Sequence, residues 1–182
     1  MARSAVLVGD VRVSAGARVL HGAVLSGEDG FVSIGEDTVI TENAVVRGRA
    51  AHPAVVGRAV MVGPHAHING STVEDEAFIA TGASLFPGSS IGAGAEIRIN
   101  GVVQVNTTVG PGMVVPIGWV AVGSPAHILP TERHDEVQAI QRDLDFCGTV
   151  YGVGEEVSMR DLMRGQSRFY GHHREDVELE EG

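Results

Sequence analysis

Residues 62–70, VGPHAHING, place His65 and His67 one residue apart, with Asn69 two further on. Imidazoles at this spacing suit metal ligation or proton transfer near neutral pH. They are equally at home as plain outward-facing polar residues. Other groups with chemical capacity stand near them in sequence. Arg47 and His52 lie in residues 44–53, AVVRGRAAHP, and Glu96, Arg98 and Gln104 lie in residues 96–104, EIRINGVVQ. A guanidinium such as that of Arg47 offers a planar fork for a carboxylate or phosphate. His52 has a pKa suited to a general base.

Whether these groups can work together depends on the elements that carry them. In an extended segment the residues on either side of an inward-pointing one face outward together. His67 and Asn69 flank Ile68 and share an outer face, as do Glu96 and Arg98 around Ile97. Glu96 and Arg98 can pair with each other or reach toward a neighbouring chain. Asn100 and Asn106 fall at turn positions, where Asn tolerates left-handed backbone.

The outer elements are set by a six-residue clock. Val73, Ile79, Leu85, Ile91, Ile97, Val103, Val109 and Val115 recur at that interval, and all are aliphatic. Four places after most of them comes a small residue: Ala77, Ala83, Ser89, Ala95, Gly101, Thr107. The same clock runs through Leu7, Val13, Val19 and Leu25, then Ile34, Ile40 and Val46, then Val56, Val62 and Ile68. This period predicts a mainly β chain: a three-sided parallel β-helix of about eighteen residues per coil, aliphatic residues stacked inside and small ones at the corners. On that frame Arg47 lies one coil below Asn69, and Phe86 and Gln104 occupy the equivalent places above. His65 takes the preceding corner.

The clock slips by three residues between Leu25 and Ile34, by four between Val46 and Val56, and by minus one between Ile68 and Val73. Extra residues in a solenoid are expected to bulge out as loops, and such loops often form binding faces. After Ala126 the pattern stops. Residues 130–146 read as a helix capped by Thr131, with Val137, Ile140 and Leu144 on one stripe. Residues 158–170 read as a second helix opened by a Ser158/Asp161 capping box. The expected organisation is a β-helix at 1–126, a helical extension at 127–170 and an acidic tail at 171–182.

Composition bounds the function classes. The 182 residues carry a net charge of −10, and every one of the 13 basic residues is Arg. With no Lys, Schiff-base chemistry on lysine is excluded. The acidic balance argues against nucleic acid and anionic membrane surfaces as partners. The single Cys147 forms no intrachain disulfide, and no apolar run is long enough to span a bilayer. A cytoplasmic location and a small-molecule partner are the simplest expectations.

The coils, the loops between them and residues 119–129, WVAVGSPAHIL, resemble a γ-class carbonic anhydrase over roughly residues 1–146. The resemblance implies a left-handed β-helix, a homotrimer, a C-terminal helix and a metal held between subunits by three His. Carried over position by position, those ligands fall on Arg47, Pro64 and Asn69. Ser26 and Glu28 stand where the family has Arg and Asp, and Thr41 where it has Gln. None of the three replacements is a good zinc ligand, and Arg47 brings a fixed positive charge to a dication's place.

The reading that follows is an enzyme with no expected metal cofactor, acting on a small molecule, an anion where Arg47 binds it, in a lyase- or transferase-type step. His67, His65, Arg47 and Asn69 would do the chemistry; Phe86, Glu96, Arg98, Gln104 and His52 would bind substrate. Three alternatives stand beside it. AAHP resembles the Ala-Thr-His-Pro string of hexapeptide acetyltransferases, which implies CoA-dependent acyl transfer with His52 as base. A second is a non-catalytic trimeric scaffold. A third is a rearranged zinc site on His65 and His67, completed by a neighbour's histidine such as His52.

Overall fold

The clock residues become the core of a left-handed parallel β-helix, seen here in a computed structural model that describes residues 1–154, 156–171 and 177. Ile34, Ile40, Val46, Val62, Ile68, Ile79, Ile91, Ile97, Val103, Val109 and Val115 are wholly shielded from solvent. Each aliphatic side chain stacks on its equivalent one coil away: Leu25 on Val46, Val46 on Ile68, Ile68 on Leu85, Leu85 on Val103. Burying one such side chain stabilises by about 1.5–3 kcal/mol, so the stack is the main source of stability.

Three faces result. The first carries residues 24–26, 45–47, 67–69, 84–85, 102–103 and 120–122. The second carries 32–34, 54–56, 72–73, 90–91 and 108–109. The third is a sheet of six strands, from Arg18–Val19 to Val114–Val115. Its corners need left-handed backbone. On the edge leading into the first face Gly22, Asn43, His65, Gly82, Asn100 and Gly118 all have positive φ.

The slips in the clock shape the edge between the first and second faces. The three extra residues after Leu25 do not form a separate loop. They continue a single strand, Val24–Ile34, that bends around the edge and joins both faces into one sheet, its partner strand Val6–Val13 shifting register between Gly9 and Val11. The strand is held by close backbone approach: a side chain on Gly30 would meet Arg49 O. The four extra residues after Val46 do project as a loop. Arg49 and His52 exchange backbone hydrogen bonds at 2.9 and 3.0 Å, closing a tight turn with Ala50 and Ala51 at its tip. The missing residue after Ile68 pulls the next coil inward at Gly70, and His52 fills the space: its Cε1 lies 3.2 Å from where a side chain on Gly88 would begin.

The solenoid ends in a strand that runs backward, His127–Leu129 antiparallel to Val120–Val122, which the six-residue pattern gave no sign of. The predicted helix is a 3-10 turn at Thr131–Arg133, helix α1 (His134–Gln141) and a second 3-10 turn at Arg142–Leu144. Val137, Ile140 and Leu144 form the expected stripe, packed on Val120, Val122 and Leu129. Thr131 does not cap it. Pro130 holds the cap position, with no side-chain hydrogen bond, because the chain enters directly from the return strand.

A short helix α2 (Phe146–Tyr151), capped by Asp145, follows unannounced. The last helix, α3 (Met159–Phe169), is capped by Ser158, whose Oγ accepts from Asp161 N. No helix among the described residues is long and apolar enough to cross a membrane. Most of the expected acidic tail lies outside the described residues.

Candidate functional site

Arg47 and Asn69 stand in register on adjacent strands of the first face, with His67 one strand residue before Ile68. The three are brought together as the repeat requires. They are not equally open. His67 is exposed though partly shielded, whereas Asn69 is only 6% exposed. Asn69 is covered by Arg49, which the repeat gave no reason to single out. Arg49 Nε donates to Asn69 Oδ1 at 3.0 Å.

Two guanidiniums therefore face His67 from the coil below. Its pKa is lowered, first by partial burial and then by the positive charges of Arg47 and Arg49. A lowered pKa keeps the imidazole neutral at pH 7. His65 does not join this group in the same way. It is exposed at the corner with φ of 58°, in the column otherwise filled by Gly and Asn. Its backbone N donates to Glu42 O, and its position is set by the corner.

Arg47 is covered by the far end of the chain. Its Nη1 donates to Tyr170 Oη at 3.1 Å, and its guanidinium carbon lies 5.9 Å from the centre of the Tyr170 ring. Arg47 Nε is buried with no hydrogen-bond partner among the described residues. Tyr170, 123 residues away in sequence, had no motif to announce it. Ser26, Glu28 and Asp29 complete the walls around Arg47. Ser26 Oγ donates to Glu28 Oε2 at 2.8 Å. Thr41 is buried elsewhere, its hydroxyl donating to Val62 O at 2.7 Å, a structural bond inside the coil.

Phe86 and Gln104 continue the column above Asn69, beneath the helical extension. Phe86 packs on Phe146 of α2, ring centres 5.8 Å apart, and Gln104 Oε1 is buried without a partner among the described residues. Glu96 and Arg98 sit on the third face and pair with each other at 2.5 Å. Within one chain they do not meet the Arg47 group. His52 lies across the first face from His65, in the turn at the opposite edge.

The three positions where a tri-histidine metal site would sit thus hold a cation, a ring with no donor side chain, and a carboxamide whose oxygen already binds Arg49. Zinc needs three or four neutral or anionic donors at about 2 Å. This donor set does not fit a metal. Among the described residues no group of three His, Cys, Asp or Glu is placed to hold one.

No protein-family model matches the chain. Over 148 residues it is 32% identical to γ-carbonic anhydrase 1, mitochondrial, of Arabidopsis thaliana, covering 78% of this chain and 52% of that protein. To γ-carbonic anhydrase 2, mitochondrial, of the same plant the figures are 32%, 78% and 51%. A probable carbonic anhydrase of Methanocaldococcus jannaschii is 31% identical over 85 residues, 47% of this chain and 54% of that one. The chain spans about half the length of these curated relatives. Among solved structures, WeeI from Acinetobacter baumannii AYE is 26% identical and superposes with a TM-score of 0.49, over 70% of this chain and 56% of that one.

Proposed function

The chain is a divergent member of the γ-carbonic-anhydrase-like family, and from that premise we propose that it is a homotrimeric enzyme of proton transfer on a small anionic molecule, working without zinc-hydroxide chemistry. The observation that carries the reading is the Arg47 group. A buried guanidinium N–H without an acceptor costs about 1–3 kcal/mol and is relieved by an anion that accepts from it. Among the described residues Arg47 Nε is such a donor, and its guanidinium is close enough to the His67 imidazole to help keep it neutral.

In this mechanism Arg47 binds the substrate's carboxylate or phosphate, displacing the Tyr170 hydroxyl. His67 takes a proton from the substrate and returns it to the product. The nearby positive charges favour the negative charge that develops on the substrate as the proton leaves. Asn69, held by Arg49, orients the substrate through its amide. This scheme fits a lyase or isomerase step, in which a base near neutrality is the main requirement.

The test starts with purified protein: zinc content by mass spectrometry and CO2 hydration by stopped flow. Neither stoichiometric zinc nor hydration is expected. A screen of small carboxylates and phosphates by NMR then seeks turnover, which Arg47→Ala and His67→Ala should abolish while leaving the assembly intact. About one zinc per chain with CO2 hydration would overturn the reading, as would undiminished turnover in both variants.

A further inference from the structure

A second cavity, of about 270 Å³, lies at the edge between the first and second faces. Its solenoid side is the projecting turn, with Arg49 and His52. Its other side is the helical extension, with Gly148 to Gly152 of α2 and its end, and Gln166 and Phe169 of α3. It adjoins the closed space around Arg47, with Asp29, Arg49 and Phe169 lining both, but that space is too small to hold a water molecule.

The cavity follows from the clock. Four residues are added at the turn and one is removed in the next coil, so the turn overhangs a recessed edge at Gly70 and Gly88. Helices α2 and α3 cover the overhang from outside. Asn106 fixes α2 there, its Nδ2 donating to Leu144 O at 3.0 Å and Thr149 Oγ1 at 2.9 Å.

We infer that this cavity is a binding site for a small flat monocarboxylate, anchored by Arg49. The Arg49 side chain is only 15% exposed. Its Nε is engaged by Asn69, and Nη1 stands 3.9 Å from Asp29 Oδ2, beyond hydrogen-bonding reach. Among the described residues the terminal nitrogens make no close hydrogen bond, and they are not sealed from solvent, so they are open to a ligand, and a carboxylate matches their planar fork. Asp29 decides between anions. It already places one negative charge beside Arg49, so a second charge on the ligand is repelled, and a monocarboxylate is preferred over phosphate. The flat body is set by the walls: Tyr151 and Phe169 present rings, and Gly148 and Gly152 present backbone without side chains. The volume is just under the roughly 300 Å³ at which drug-sized pockets begin, which fits a single-ring metabolite.

This inference uses neither Arg47 nor His67; Arg49 is the residue it shares with the proposed reaction, where it holds Asn69. The test is calorimetry on the full chain with benzoate, benzamide and inorganic phosphate, and hydrogen exchange to locate the bound probe. Benzoate should bind roughly tenfold or more tightly than benzamide or phosphate. It should slow exchange in residues 49–52 and 146–152. Arg49→Met should weaken benzoate by a similar factor. Ala51→Trp, which fills the cavity from an exposed turn and leaves Arg49 in place, should do the same, while Arg47→Ala should not. Absence of benzoate binding, equal affinity for benzamide, phosphate binding more tightly, or protection confined to the segments carrying Arg47 and His67 would each overturn the inference.

Discussion

His67 makes the charge balance of the site measurable. Its pKa is lowered chiefly by burial and secondarily by Arg47 and Arg49. The imidazole should therefore titrate below its ordinary value of about 6.5 when followed by NMR. Arg47→Met should raise the midpoint but leave it below that of a free histidine, because burial remains. A midpoint at or above 6.5 in the native protein would contradict the arrangement. The linkage has a definite sign. Above about pH 6.5 both folded and unfolded chains carry a neutral His67, and its contribution to stability is fully present. As pH falls through 6.5 the unfolded chain takes up the proton first, and stability is lost down to the lowered folded pKa. Thermal melts across this window should show His67→Gln flattening that part of the acid dependence. Any turnover that uses the neutral imidazole should likewise fall on its acid side.

The elements show what the sequence could and could not reveal. The coils were legible because each aliphatic residue meets another at a fixed interval, so a local period encodes a long-range contact. Ile34, Ile68 and Ile97 needed no partner other than their own repeats. Arg47, Pro64 and Asn69 could be set against the three histidines that the resemblance implies for the same reason: position in the repeat is position in space. The helical extension was not. Val137, Ile140 and Leu144 show a stripe, but nothing in it says which face they cover. Phe146 against Phe86 and Tyr170 against Arg47 are single contacts across long stretches of chain. Asn106 shows the ambiguity at one residue. Its turn role was expected from its backbone tolerance, and its φ is 52°. Its side chain does a second task, holding α2. Asn106→Gly separates the two, since Gly keeps the left-handed corner and removes both hydrogen bonds. The solenoid's unfolding midpoint should move little, while amide exchange in α2 accelerates by about five- to thirty-fold, the equivalent of 1–2 kcal/mol. An unchanged α2 would mean that Phe146 alone seats the helix.

At the scale of the whole molecule, the third face and the corner beyond it keep apolar surface in the open. Ile117 is 65% exposed and Ile99 45% exposed, and they share a groove of about 280 Å³ with Met61, Pro64 and Phe78. A contiguous apolar groove of this kind marks an interaction surface. In the proposed trimer it is the surface each protomer turns to its neighbour. Association then opposes apolar burial to like-charge repulsion, because each chain carries −10. Burial does not weaken with salt, and repulsion at a Debye length of about 8 Å is progressively screened. Light scattering should thus find a trimer that tightens as salt rises. A trimer held mainly by ion pairs would loosen instead. Ile99→Glu with Ile117→Glu adds two charges per chain to the groove and removes its most exposed apolar contacts. The double variant should be monomeric and keep its β circular-dichroism spectrum, because neither side chain belongs to the aliphatic stack inside the prism. A double variant that remains trimeric would show that the chains meet through a different face.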